Sequence, residues 1–255
     1  MARQYFTRKF KPSIPANLQV AAFAVGDVVF DWQSFTLPNG VNKLTGATVI
    51  APPNASAASQ DFPLDLLFAT KTRGNGGVAA GAAPQGVGTV NSAGLPTASP
   101  YYNDLIGAIK IDATDFTDIE PRSIGVTGVA QGGMNPVIFD NYDDSADSYG
   151  DNTFYMAAFS AGTPTIGGGI NIAGGGSPVA AGSSATVTVE AQDARAFFAP
   201  GDVIHGAGNE ILGTVSTVTN GTTIVLTTTT VAELADDLDL YNFNPIQIIL
   251  SFERP

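Results

Sequence analysis

The segment Ile246-Gln-Ile-Ile-Leu-Ser-Phe-Glu253 alternates as a β-strand does when one of its faces is buried. Large apolar side chains occupy positions 246, 248, 250 and 252, and polar ones occupy positions 247, 251 and 253. Because successive strand residues point to opposite faces, one face is predicted to be buried and the other mostly solvated. Pro245 suits the first position of a strand, which needs no ladder donor. We therefore predict a late strand that closes a sheet begun much earlier in the chain.

A hairpin is predicted over residues 213–227, just upstream of that strand. Its two arms are rich in β-branched residues and flank Asn220-Gly221, a pair typical of type I′ turns with positive φ at both positions. The alternating segment 185–190 precedes the hairpin, and residues 197–205 are typical of a loop that leads into a strand. Together these segments predict a small barrel-like β module.

The first two thirds of the chain contain further short apolar runs bounded by Gly, Pro and Asn. Strands are predicted at 25–32, 47–50, 64–70, 105–111, 124–129, 136–139 and 153–159, with one helical turn within 112–118. We find no amphipathic helix longer than about three turns. The predicted fold class is all-β, with a jelly-roll-like β-sandwich body, an inserted β-barrel-like module and long Gly/Ala-rich loops.

The predicted organisation has four parts, which follow the changes in composition along the chain. They are an N-terminal docking arm (1–15), the sandwich body (16–165 plus 240–255), a Gly-rich linker (166–184) and the inserted module (185–239). The Gly/Ala tracts at 74–100 and 162–184 are interpreted as loops or connections that become ordered against a partner.

Charge and composition exclude two classes of binding partner. Only 13% of the 255 residues are charged, and 23 acidic residues outnumber 11 basic ones, for a net charge of -12. Four of the bases are Arg3, Arg8, Lys9 and Lys11, so the remaining chain carries 7 bases against 23 acids, or -16. Such a body repels phosphate backbones, and nucleic acid is not expected as a partner. No apolar run is long enough for a membrane span, so no membrane partner is expected either.

Catalytic and cofactor chemistry are not expected from the sequence. The chain has no Cys and one His, which excludes disulfides, cysteine nucleophiles and zinc sites built from these residues. His205 and Asp202 are three residues apart, so on a strand they point to opposite faces and do not form an acid–base pair. No phosphate-binding loop is present, and Ala158–Gly162 lacks the first glycine of a nucleophile elbow. We predict a non-enzyme with no cofactor and no small-molecule substrate, with a glycosidase carboxylate pair as the alternative.

Two acidic segments are candidate cation sites. Residues 140–152 are rich in Asp, but Ser148 stands where an EF-hand needs Gly and no Glu closes the loop. A solvated loop is predicted there, with Ca²⁺ binding or a partner contact as alternatives. The shorter run Asp236–Asp239 has the same interpretation.

The first thirteen residues alternate bases with aromatic rings. This pattern fits a frayed terminus, stacking on nucleic acid, or docking to a protein, and docking is favoured because exposed rings are unfavourable in water. The predicted partner-contact residues are Tyr5, Phe6, Arg8, Lys9, Phe10 and Lys11.

Three stretches resemble the virion structural proteins of tailed bacteriophages, especially those of marine and cyanobacterial phages. They are Val25–Trp32 with Leu37–Gly40, Asp61–Thr70 with Asn103–Gly107, and Phe154–Thr165 with the strand at 246–253. In addition, the segments 198–204, 211–216 and 223–226 are similar to a small β module of phage structural proteins.

The resemblance implies a capsid decoration or cement protein, made in the host cytoplasm and located on the capsid surface of the virion. Its implied partners are the lattice of the major capsid protein and further copies of itself, as a homo-oligomer such as a trimer. A tail, collar or fibre-associated subunit, a carbohydrate-binding surface module, and a bacterial surface-layer protein or adhesin are the alternatives.

Overall fold

The computed structural model describes residues 3–54, 56–72, 78–94, 100–128, 137–140, 152–166, 169–172, 180–190, 192–234 and 238–254. The structure is nearly all β, with 49% strand and 6% helix, so the all-β prediction is confirmed. The helical segments are short: α1 (Ala194–Phe197) and the 3-10 turns Ala16–Leu18, Pro100–Asp104 and Ala113–Asp115. No helix in the described ranges has the length and apolar character needed to cross a bilayer.

The body consists of two antiparallel sheets that face each other across one core. The first sheet has the order β1-β16-β3-β7-β6, with β8 beside the start of β3. Its strands are β1 (Gln4–Phe10), β3 (Val41–Ala51), β6 (Phe116–Ile119), β7 (Arg122–Gly128), β8 (Ile138–Asp140) and β16 (Gln247–Arg254). The second sheet has the order β2-β9-β4-β5, built from β2 (Val28–Thr36), β4 (Leu64–Ala69), β5 (Leu105–Ile111) and β9 (Thr153–Ser160).

The late strand predicted from 246–253 is confirmed as β16. It lies between β1 and β3, with Phe252 beside Phe6 on one side and Leu44 on the other. The residues expected on its apolar face, Ile246, Ile248, Leu250 and Phe252, are all fully buried. The strand therefore joins the first strand of the chain to the middle of the same sheet.

Phe139 on β8 connects the two sheets of the body. Its ring lies 5.6 Å from that of Phe252 in the first sheet. It also lies 5.0 Å from Phe154, 5.5 Å from Phe68 and 5.8 Å from Phe35 in the second sheet. Most of these contacts are edge-to-face, the arrangement that aromatic pairs prefer. The short strand thus places one fully buried ring where both layers meet.

The module is a single curled sheet of order β10-β15-β12-β13-β14-β11. Its strands are β10 (Ile170–Asn171), β11 (Thr186–Thr188), β12 (Val203–His205), β13 (Ile211–Asn220), β14 (Thr223–Leu226) and β15 (Asp239–Asn242). The predicted boundaries differ from these, because β10 lies in the segment assigned to the linker and β15 crosses the boundary at 239–240. The reason is burial: Ile170 and Leu240 pair across β10 and β15 and enter the apolar core of the module.

The hairpin predicted at 213–227 is formed by β13 and β14, but its turn is different from the predicted one. Asn220 pairs with Thr223, so the two connecting residues are Gly221 and Thr222. Neither Asn220 nor Gly221 has a positive φ, so the type I′ prediction is wrong. The Asn220 side-chain oxygen instead accepts the backbone N–H of Thr222 at 2.9 Å and closes the turn itself.

Candidate partner-binding surface

The predicted docking arm is largely a strand of the body. Residues 4–10 form β1, which pairs along its whole length with β16, from Gln4 beside Arg254 to Phe10 beside Ile248. The boundary between arm and body at residue 15 is therefore corrected. The physical reason is the alternation of Gln4, Phe6, Arg8 and Phe10, which gives the segment one face that the body core covers.

Phe6 and Phe10 are not free for a partner. The Phe6 ring stacks on Phe252 with ring centroids 5.3 Å apart, and the Phe10 ring meets Phe35 edge-on at 5.3 Å. Both rings pack against the body core and are partly buried. Their prediction as partner contacts is corrected, because burial within the body satisfies the same apolar surface that docking would have covered.

Arg8 lies on the inner face of β1, between Phe6 and Phe10. Its Nε donates a hydrogen bond of 2.9 Å to the carbonyl oxygen of Thr36, at the end of β2 in the opposite sheet. Its guanidinium carbon lies 5.2 Å from the centre of the Phe6 ring. The side chain thus bridges the two layers at the edge of the sandwich while its charge stays half exposed.

Lys11 forms an internal ion pair. Its Nζ lies 2.6 Å from Oδ1 of Asp202, whose side chain is 3% exposed. The other carboxylate oxygen of Asp202 accepts the N–H of Ala199 at 2.9 Å and the side-chain amide of Asn242 at 2.7 Å. Lys11 therefore joins the body to the module, and its prediction as a partner contact is corrected.

More polar groups continue this junction between body and module. The Asn242 side chain also donates to the carbonyl oxygen of Phe197, and the backbone carbonyl oxygen of Asn242 accepts from the Gln19 side chain at 2.9 Å. Arg122 lies near Asp202, and burial lowers the pKa of its guanidinium while the carboxylate of Asp202 raises it. The junction is thus a buried polar network, of the kind that fixes one arrangement when its members are satisfied.

Two of the predicted contact residues remain exposed on the outer side of β1. Tyr5 is 68% exposed, although the typical place for a large aromatic ring is a core or an interface. Lys9 is exposed and has no hydrogen-bond or ion-pair partner among the described residues. Next to the strand, Arg3 pairs with Glu253 at 3.1 Å with its own side chain largely in solvent. The free side of β1 is thus a basic sheet edge with an exposed ring.

The opposite edge of this sheet is a second exposed and charged surface, which was not among the contact residues predicted from the sequence. There β6 is the last strand, paired only with β7 in the described part of the chain, and three of its four residues are exposed. Asp118 and Ile119 lie on this strand, and Glu120 follows it; Ile119 is 49% exposed. A signal was present in the sequence, because residues 112–120 contain four acids and no base.

Next to this acidic edge is a shallow groove of about 370 Å³ between body and module. Glu120 and Pro121 line it from the turn between β6 and β7, and Asp193 and Arg195 line it from α1. Arg195 is hydrogen-bonded to Asp193, which lowers the pKa of that carboxyl.

His205 lies in a buried place at the end of β12. Its ring stacks on Phe243 at 4.1 Å, and Nδ1 lies 2.9 Å from the carbonyl oxygen of Asn209. Burial lowers the pKa of His205, which the Asn209 contact and the charge of Glu210 oppose. The imidazole is enclosed by its own module and faces no groove that the structure describes.

The two acidic segments that the sequence offers as cation sites form no metal-binding cluster among the described residues. Of the acidic segment 140–152, only Asp140 and Asn152 lie within the described residues, so its solvated-loop and Ca²⁺ interpretations lie outside them. Asp239 accepts a hydrogen bond from the Tyr241 hydroxyl at 3.4 Å. In the described ranges, no three His, Asp or Glu side chains are grouped so that they could hold a metal ion.

Trp32, the one tryptophan, is half-buried, and its indole N–H donates to the carbonyl oxygen of Gln85 at 2.8 Å.

A comparison of the chain with family models, curated proteins and solved structures finds no match in any of the three.

Proposed function

We propose that this chain is a non-enzymatic structural protein of a tailed-phage virion, a decoration protein that binds the outer surface of the capsid lattice and stabilises it. One observation carries the proposal: in the part of the chain that the structure describes, the main sheet of the body is open at both ends, at β1 and at β6. A subunit with two open edges on a rigid body can contact two neighbours at once, which a lattice protein must do. The resemblance of the sequence to phage virion proteins points the same way.

The body suits this role because it is stiff where the contacts are presented. β1 is anchored by β16 and by two aromatic contacts, so Tyr5 and Lys9 are held in place before a partner arrives. Binding by a preformed strand avoids the entropy of ordering a free arm, about 1–2 kcal/mol for each residue. Many weak contacts of this kind add up on a repeating surface.

The test is binding to mature capsids that lack the protein, prepared from a phage whose genome encodes this chain. We expect saturable binding of purified protein, with a copy number set by capsid symmetry, and a higher temperature of capsid disruption. Absence of binding at saturating protein would overturn the capsid role.

Electron microscopy of the whole virion with labelled protein separates this role from its alternatives. Label on the head surface supports the proposal, whereas label confined to the tail, collar or fibres overturns it in favour of those structures. Specific binding on a glycan array, with no binding to capsids, would favour a carbohydrate-binding surface module instead.

A further inference from the structure

We propose that β1 of one copy of this chain pairs with β6 of a second copy, so that copies join head to tail through opposite edges of the same sheet. This inference deepens the proposed function, on which its place in a virion rests, by naming the surface through which copies meet. It begins from the sheet order, in which β1 and β6 are the two end strands.

The two edges carry opposite charge. Residues 3–11 contain four bases and no acid, whereas residues 112–120 contain four acids and no base. Local ion pairs occupy Arg3, Lys11 and Asp112. The charged side chains of these two segments that have no salt-bridge partner among the described residues are Arg8, Lys9, Asp115, Asp118 and Glu120. Each edge therefore keeps charge that complements the other.

This pattern selects one pairing among three. Pairing of β1 with β1 would bring Arg8 and Lys9 of one copy against the same bases of the other, and pairing of β6 with β6 would oppose Asp118 and Glu120. Like charges opposite each other destabilise a strand pair, and unlike charges stabilise it. Charged edges generally keep strands from associating. Here the charges oppose both symmetric pairings and favour the mixed one.

Each edge also presents one large side chain that the fold leaves in solvent. Tyr5 on β1 is 68% exposed and Ile119 on β6 is 49% exposed. A strand added along either edge would cover part of the exposed side chain there.

Strand direction sets the geometry of the assembly. Each of the four steps from β1 to β6 is antiparallel, so the two end strands run in the same direction. A copy related by a simple repeat therefore places its β1 parallel to β6 of its neighbour. Such a head-to-tail contact is heterologous, and it closes into a ring or continues as a filament according to the rotation between copies.

The test uses the purified full chain alone, without capsids. We expect sedimentation velocity to show self-association at about 0.01 M salt that is lost at about 1 M salt, because the Debye length falls from ~30 to ~3 Å. The charge reversals Lys9→Glu on β1 and Asp118→Lys on β6 should each weaken association by about two- to fivefold, because each lowers the charge difference between the two edges. Glu233→Lys, exposed on the module surface, is the matched control and should leave association unchanged.

Combining the two reversals gives the sharpest result. The double variant Lys9→Glu with Asp118→Lys should associate more weakly than either single variant, because the free charge of the β1 edge falls from +2 to zero and that of the β6 edge from -3 to -1. Circular dichroism and melting temperature confirm that each variant is folded.

A monomer at every salt and protein concentration would overturn the inference, and so would association that neither the single reversals nor the double variant weakens. Because no capsid is present, these outcomes are distinct from failure of the proposed function, which is measured by capsid binding of the unaltered chain.

Discussion

The sandwich body and the module bury their cores in different ways. The body holds its apolar side chains between two facing sheets, and rings from both sheets meet at Phe139. The module curls one sheet around a mainly aliphatic core, closed on one side by α1. It is tied to the body through the buried Asp202 and its partners. Apolar contact between the two sheets thus holds the body together, whereas polar contacts fix the position of the module.

The largest expected effect comes from removing the ring that joins the two sheets. Phe139→Ala should lower the free energy of unfolding by about 3–5 kcal/mol, because it leaves a cavity among four other rings. Urea unfolding followed by fluorescence measures it, since Trp32 is the one tryptophan and lies in the body.

The matched control is Ile224→Val in the core of the module, where Ile224 is fully buried. It should lower the free energy of unfolding by only about 0.5–1.5 kcal/mol. A loss of less than about 1 kcal/mol for Phe139→Ala would show that Phe139 does not hold the layers together.

The next largest effect tests the junction. Asp202→Ala should lower the free energy of unfolding by about 3 kcal/mol, because Asn242 and Lys11 lose a common partner and the half-buried Arg122 loses a nearby opposite charge. Hydrogen exchange should become faster in β12 and β13 while β4 and β9 keep their protection. Glu233→Ala on the module surface is the control, with an expected change within about 0.5 kcal/mol. Faster exchange in the body strands alone would contradict the assigned role of Asp202.

The smallest effect is a pH dependence confined to the module. Burial lowers the pKa of His205 below its ordinary 6.5, so the unfolded chain takes up the proton first as the solution becomes acidic. The contribution of His205 to stability is therefore complete above about pH 6.5 and falls as the pH drops towards the lowered value.

His205→Phe keeps a ring against Phe243 and removes this titration. Between about pH 8 and pH 5, the melting temperature of the variant should fall less than that of the unaltered chain. Equal slopes for the two proteins would show that His205 is not the group that titrates.

The strands of the body could be predicted because alternation is a local property. Leu105–Ile111 was predicted with the bounds that β5 has, and the buried face of β16 was identified residue by residue. In each case the exposed or buried state of a side chain follows from its neighbours in sequence. The single helical turn predicted at 112–118 is confirmed only at Ala113–Asp115, because β6 begins at Phe116.

The candidate surface was harder to predict because distant partners decide it. Phe6 and Phe10 are predicted to contact a docking partner, because no neighbouring residue in the sequence indicates that their rings pack on Phe252 and Phe35. Similarly, the carboxylate that pairs with Lys11 belongs to Asp202, 191 residues further along the chain. Sequence reasoning could identify which side chains would be unfavourable in water, but not which part of the same chain would cover them.

The central place of β16 also bears on how the chain folds during synthesis. Thr45 of β3 donates a hydrogen bond to the carbonyl oxygen of Ser251 of β16, 206 positions further along the chain, and β1 has β16 as its sheet partner. Pairing over such distances in sequence slows folding. The hairpin of β13 and β14 can form while the ribosome is still translating, but the main sheet must wait for residues 247–254 to emerge. Until then β1 has no strand partner among the described residues and β3 is paired on one side only. We therefore expect the nascent chain to depend on chaperones at this stage.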